Sequence, residues 1–116
     1  MSTSFRESIT AGLQGLYERA WDSHGMLVLD LAPSNLVAVV DRLKTEFGFA
    51  LFLDVTAIDY PQRVPRFDVV HHFLCPVRMQ RVRLKLQVDE QNPEVATLVP
   101  QYGSARYMER EAHDMY

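Results

Sequence analysis

Arg66-Phe67-Asp68-Val69-Val70-His71-His72-Phe73-Leu74, closed by Pro76, is followed by Val82-Arg83-Leu84-Lys85-Leu86-Gln87-Val88. These two stretches decide the fold. In the first, Phe67, Val69, His71 and Phe73 point to one side of an extended chain, and Arg66, Asp68, Val70 and His72 to the other. In the second, Val82, Leu84, Leu86 and Val88 alternate with Arg83, Lys85 and Gln87, a period of two that predicts a strand with one buried and one wet face. Immediately upstream, Phe49 to Ile58 reads as another strand, and Asp59-Tyr60-Pro61-Gln62 to Pro65 as the exposed loop between them. Three successive strands with short connections predict an antiparallel meander.

Further upstream the period changes from two to that of a helix. Pro33 and Ser34 open a helix through about Phe47, with Leu36, Val40, Leu43 and Phe47 as one stripe and Gly48 as its left-handed stop. Before it, Met26 to Leu31 is a short apolar strand, preceded by a turn at His24-Gly25. Ser4-Phe5-Arg6-Glu7 has the form of a capping box. With Phe5, Ile9, Leu13, Leu16 and Ala20 at helical spacing, it predicts a first helix ending near Trp21 to Ser23. Gly12 and Gly15 weigh against that length, each costing about 1 kcal/mol relative to Ala in a helix interior. The whole predicts one α+β domain over residues 1–116: a two-layer α/β sandwich whose helices gather on one face of a mixed, mostly antiparallel sheet. The helix–strand–helix–strand start allows one parallel pair.

Composition narrows the function classes. Apolar residues make up 47% and charged residues 23% of the chain, the balance of an ordinary globular domain. No run approaches the roughly 18 apolar residues of a membrane span and no basic-then-apolar leader opens the chain, so a cytoplasmic location is expected. The net charge of −3 gives no general reason to expect nucleic acid or an anionic membrane as partner. Cys75 is the single cysteine, which excludes an intramolecular disulfide and any all-cysteine metal site made by this chain alone. It reads as small buried filler in a strand.

Downstream, Asp89 to Pro93 reads as a polar loop, Glu94 to Val99 as a short helix or turn, and Pro100 to Ser104 as a connector with Ser104 as possible N-cap. Ala105 to Tyr116 then reads as a helix. Ala105, Met108, Ala112 and Met115 lie on one face, Arg106, Glu109, Arg110 and His113 on the other, and Glu111 beside the apolar stripe near Tyr107 and Asp114.

Candidate chemical groupings are few. Arg78, Arg81, Arg83 and Lys85 form a basic cluster that reads as a solvated strand face or, if functional, as a surface for an acidic protein partner. No aromatic residue interleaves them, so a stacking platform for single-stranded nucleic acid is not supported. His71 and His72 face opposite sides of a strand and cannot share a metal; His71 reads as a core or interface histidine with one hydrogen bond. Glu109 and His113 stand four apart on a helix, the spacing of an exposed ion pair, and two such ligands do not make a metal site. Asp54 and Asp59 flank a strand, with nothing to set one as acid and the other as base.

Leu98-Val99-Pro100, followed by the whole run from Ala105 to Tyr116 with Glu109-Arg110-Glu111 and Asp114 at its centre, resembles the motif of the 30 kDa subunit family of respiratory complex I. Phe52-Leu53-Asp54-Val55-Thr56-Ala57-Ile58-Asp59 and Phe67 to Leu74 resemble that family's two central strands in the right order. His71 stands where the family usually has tyrosine, and His113 where it often has an aromatic residue. The family continues beyond this point with a glycine and a His-Pro-x-Leu-Arg-Arg segment, so its C-terminal tail is expected to be absent from this domain. The resemblance implies a non-catalytic scaffold subunit of the peripheral arm of NADH:quinone oxidoreductase, on the cytoplasmic side of the inner (plasma) membrane and without a span of its own. The complex would use NADH, FMN, iron–sulfur clusters and quinone, and would couple electron transfer to proton translocation. This chain would bind none of these cofactors. Its partners would be other peripheral-arm subunits, chiefly the quinone-site and cluster-bearing ones, met through Arg106, Glu109, Arg110, Glu111, His113 and Asp114. A homologous subunit of a nickel–iron hydrogenase-type complex and an independent protein-binding module are the alternatives.

Overall fold

The computed structural model describes residues 2–64 (2–4 by backbone alone), 67–88 and the positions Leu98, Tyr102 and Glu109. Helix α1 spans Ser2–Gly12, strand β1 Arg19–Ser23 and strand β2 Met26–Leu31. Helix α2 spans Leu36–Phe47 behind a 3-10 turn, Pro33–Asn35, and the strands β3 (Leu51–Asp59), β4 (Phe67–Cys75) and β5 (Gln80–Val88) follow. The five strands form one sheet in the order β1-β2-β5-β4-β3. β3, β4 and β5 are the expected antiparallel meander, and β2 lies parallel to β5 with Leu29 opposite Leu84.

The expected first helix is corrected in two places. It begins at Ser2, upstream of the Ser4 box, because nothing between Met1 and Ser4 stops it, and it ends at Gly12 rather than near Trp21. Gly15 has φ +89, a left-handed conformation in which a Cβ is strained and which turns the chain out of the helix. Residues 19–23 are then free to pair with β2, so that Arg19 lies opposite Asp30 and Ser23 opposite Met26. The turn between them is His24-Gly25, both at positive φ (53° and 80°), the twist that suits a two-residue hairpin loop.

The remaining described elements match their expected positions, and the elements expected over 89–97 and 105–116 lie outside the described residues apart from Glu109. Pro33 sits at the start of the turn into α2, and Gly48, at φ 75 and ψ 23, ends α2 with its N–H on the Leu43 carbonyl. Val39 joins Leu36, Val40 and Leu43 in the buried stripe. Both helices pack on one face of the sheet. There Phe5 and Ile9 of α1, with Leu13 just beyond its end, meet the α2 stripe over Leu29, Leu84, Leu86 and Phe73. Each such side chain, fully buried, contributes about 1.5–3 kcal/mol. Cys75 is free and buried in this core, as its small apolar character implies. Leu98 and Tyr102, from beyond β5, belong to the same cluster.

The opposite face of the sheet carries neither described helix, yet it is not simply wet. Val28, Asp68 and Val70 on it are buried, and Arg83 and Lys85 are half-buried. Along β5 the expected alternation holds, with Val82, Leu84, Leu86 and Val88 buried, Arg81 and Gln87 exposed, and Arg83 and Lys85 between these limits.

Candidate functional site

Of the residues expected to form a charged docking face, Glu109 is the one described, and it is half-buried. Its Oε2 accepts the Leu98 backbone N–H at 2.7 Å, so this carboxylate ties two parts of the C-terminal segment together. Arg106, Arg110, Glu111, His113 and Asp114 lie outside the described residues, as do Glu94 to Thr97 and Ser104. Tyr102, which sequence reasoning placed in a connector, is instead an anchor. Its hydroxyl donates to the Phe49 carbonyl at 2.5 Å, and its ring sits 5.5 Å from Phe73 and 5.8 Å from Phe52. Burial, with the Asp41 charge adding to it, pushes this phenol up to about 12. Lys44 covers the ring from α2 at 5.1 Å. A lone aromatic in a polar stretch was the available signal.

His71 belongs to the same aromatic cluster, stacked 5.8 Å from Phe52 and 6.4 Å from Phe73. It is 1% exposed, and its Nδ1 has no hydrogen-bond partner among the described residues, where one bond was expected from the sequence. Burial, and secondarily the neighbouring His72, lowers its pKa to about 4, while Asp54 opposes that shift. The ring is neutral at physiological pH.

On the open face the charges form two fixed groups. Asp68 of β4 is fully buried and accepts from Arg63 of the preceding loop, and Lys85 of β5 lies 3.4 Å from its other oxygen. The Arg63 guanidinium also lies 4.2 Å over the Tyr60 ring, so one buried acid organises the β3–β4 loop. The bond to Asp68 raises the Arg63 pKa. Asp30 of β2 pairs with Arg19 of β1 at 3.4 Å; burial raises its pKa, and Lys85 and Arg19 pull it back. Arg19 in turn lies 4.4 Å over Trp21. In the second group, Arg83 Nε donates to His72 Nε2 at 2.9 Å, which leaves the proton of a neutral ring on Nδ1, facing Asp54 Oδ1 at 2.5 Å.

Register separates His71 from His72 onto opposite faces, as expected. Asp54 and Asp59 stand five residues apart on β3, about 16 Å at strand rise, and are not brought together. Arg83 and Lys85 of the basic cluster are engaged by His72 and Asp68, whereas Arg78 lies 4.5 Å over the Phe5 ring and Arg81 is exposed. Among the described residues, no three His, Cys, Asp or Glu side chains are grouped to hold a metal ion, and no described helix is long and apolar enough to cross a membrane. The described chemistry is that of tethering: carboxylates and cations hold loops and segments in place.

These features define a two-layer α+β sheet domain whose polar groups fix its own loops and its C-terminal segment. The same architecture is found in the trypsin-resistant fragment (1-134) of Nqo5, with a TM-score of 0.83, 25% identity, and coverage of 99% of this chain and 91% of that one. A chain of an archaeal membrane-bound sulfane sulfur reductase shares the fold at a TM-score of 0.81 and 20% identity, over 99% of this chain and 67% of that one. Residues 29–116 match the family described as respiratory-chain NADH dehydrogenase, 30 Kd subunit, and the chain belongs to that family. Among its relatives, the C subunit of NADH-quinone oxidoreductase from Ruegeria pomeroyi is 43% identical over 100 residues, 84% of this chain and 50% of that protein. The protein of the same name from Cereibacter sphaeroides is 44% identical over 94 residues, 79% of this chain and 46% of that protein. The chain spans about half the length of the curated relatives it matches.

Proposed function

We propose that this domain is the folded platform of the C subunit of an NADH:quinone oxidoreductase, a scaffold in the peripheral arm that performs no chemistry itself. The observation that carries this reading is the family match over residues 29–116, together with relatives of that name at 43% and 44% identity. Electron transfer from NADH to quinone, coupled to proton translocation, belongs in this reading to the assembled complex, and FMN, iron–sulfur clusters and quinone to its other subunits. The domain sits peripherally on the cytoplasmic side of the membrane, against the quinone-site and cluster-bearing subunits.

The mechanism is positional. The sheet and its helices form a stiff platform, and the segment anchored by Tyr102 and Glu109 presents Arg106, Glu109, Arg110, Glu111, His113 and Asp114 to neighbouring subunits through charge-assisted bonds. Removing one partner of a buried pair costs on the order of 3–5 kcal/mol, against at most about 1 kcal/mol for a rim pair. Reversal of one buried interface charge is therefore enough to impair assembly. The test is Glu111→Lys in the full-length protein, with the complex isolated and its NADH:quinone reductase activity measured. Loss of assembly and activity together is expected. An intact, fully active complex overturns the docking role.

A further inference from the structure

Six large apolar side chains are exposed among the described residues, and they lie at the two ends of the sheet. At one end are Ile58, Tyr60 and Val64, with Arg63 over the Tyr60 ring and paired with Asp68. That end carries charges of both signs, Arg63 and the exposed Asp59 among them. At the other end, Val77 is 92% exposed and Met79 72% exposed on the turn of the β4–β5 hairpin, and Leu51 begins the neighbouring strand at 46%.

The second end has two further properties. Met79 has φ 52, a left-handed conformation that is unfavourable for a residue with a Cβ and that glycine would adopt freely. The hairpin thus holds a strained residue whose side chain lies in solvent rather than in the core, an outlier of the kind that accompanies binding surfaces. The same turn is also one-signed. Arg78 stacks over the Phe5 ring, and neither it nor Arg81 makes an ion pair among the described residues. Register places Arg81 beside Leu74 and Leu74 beside Leu51, so the cation and the apolar side chains share one surface across three strands. Arg83 and Lys85, further along β5, are taken up by His72 and Asp68 and do not contribute.

We propose that the tip of the β4–β5 hairpin, with Val77 and Met79 as apolar anchors and Arg78 and Arg81 as flanking cations, docks a carboxylate-bearing, apolar segment of another subunit of the complex. The partner's identity as a subunit rests on the proposed function above. Its chemistry comes from the surface: two guanidinium groups select Asp or Glu side chains, and an adaptable methionine beside a valine accepts an aliphatic or aromatic anchor.

The experiment places a benzophenone amino acid at position 77 of the full-length protein, in cells that assemble the complex. After irradiation the purified complex is mapped for cross-links. The expected product is one cross-link to a segment of another subunit in which Asp or Glu neighbours an apolar residue. Arg81→Glu and, separately, Met79→Ser are expected to lower its yield about fivefold, the size of effect that follows from changing one charge or one apolar anchor at an interface rim. Both positions are exposed, so the variants retain the fold. No cross-link within an assembled complex, a cross-link to lipid or to a second copy of this chain, or an undiminished yield in both variants overturns the inference and leaves the scaffold reading standing. Failure of the unmodified chain to co-purify with any other subunit overturns both.

Discussion

Replacing His71 by phenylalanine removes the one described group whose protonation opposes the fold most strongly. In the folded chain the imidazole takes a proton only near pH 4, against an ordinary value of 6.5. Between those values the unfolded chain binds more protons than the folded one, so stability rises with pH across the window. It is fully present above about 6.5, falls as the solution is acidified, and levels off below about 4. The gap of about 2.5 pH units corresponds to about 3 kcal/mol at 1.36 kcal/mol per unit. At pH 7 the substitution changes little: relief of the unpaired Nδ1, worth about 1–3 kcal/mol, is set against a misfit of similar size among Phe52, Phe73 and Tyr102. The assay is urea unfolding of the original chain and His71→Phe at pH 7, 6, 5 and 4, followed by the fluorescence of Trp21, the single tryptophan. The other three histidines are present in both proteins, so the difference between the two curves reports the substitution at position 71. The variant should gain about 3 kcal/mol over the original chain between pH 7 and pH 4. Two parallel stability curves, within about 0.5 kcal/mol across the range, would refute the buried, neutral state of His71.

Three further outcomes are expected. Asp68→Ala leaves Arg63 and Lys85 without their shared acid and should cost about 2–3 kcal/mol, less than a fully buried pair because both cations are about a third exposed. Amide exchange should quicken over residues 60–64, and unchanged protection there would show that Asp68 does not organise the loop. Tyr102→Phe removes the bond to the Phe49 carbonyl, for about 1–1.5 kcal/mol, and should delete the phenol that ionises near pH 12 from an ultraviolet titration. Gly48→Ala places a Cβ at φ 75, where its nearest neighbour, Cys75 Sγ at 3.6 Å, is in ordinary contact. The cost should therefore be the conformational one, about 1–2 kcal/mol by thermal or urea unfolding, with no rearrangement of the core.

Much of this domain is written in local periodicity. Strict alternation along β5 and the paired faces of β4 specify strands because a two-residue period can bury only one side of an extended chain. The stripe of α2 and the glycine behind it specify a helix and its end by equally local means. The family, too, was legible in Glu109-Arg110-Glu111 and the two central strands, since those residues follow one another in the chain.

What the sequence alone could not determine depends on residues brought together from far apart. Arg19 to Ser23 carries no apolar alternation, and it becomes a strand only because β2 offers it a ladder and Asp30 a partner for Arg19. The parallel pairing of β2 with β5 joins segments separated by α2, β3 and β4. Arg83 and Lys85 look alike to Arg81 in the sequence, but only the sheet shows His72 and Asp68 beside them and leaves Arg81 exposed. For the same reason Tyr102 reads as a connector residue until Phe49, 53 positions away, supplies the carbonyl that holds it. Periodicity determines which side of an element is apolar, but the partner of each polar group is set by long-range register, where hydrogen bonding and burial outweigh local preference.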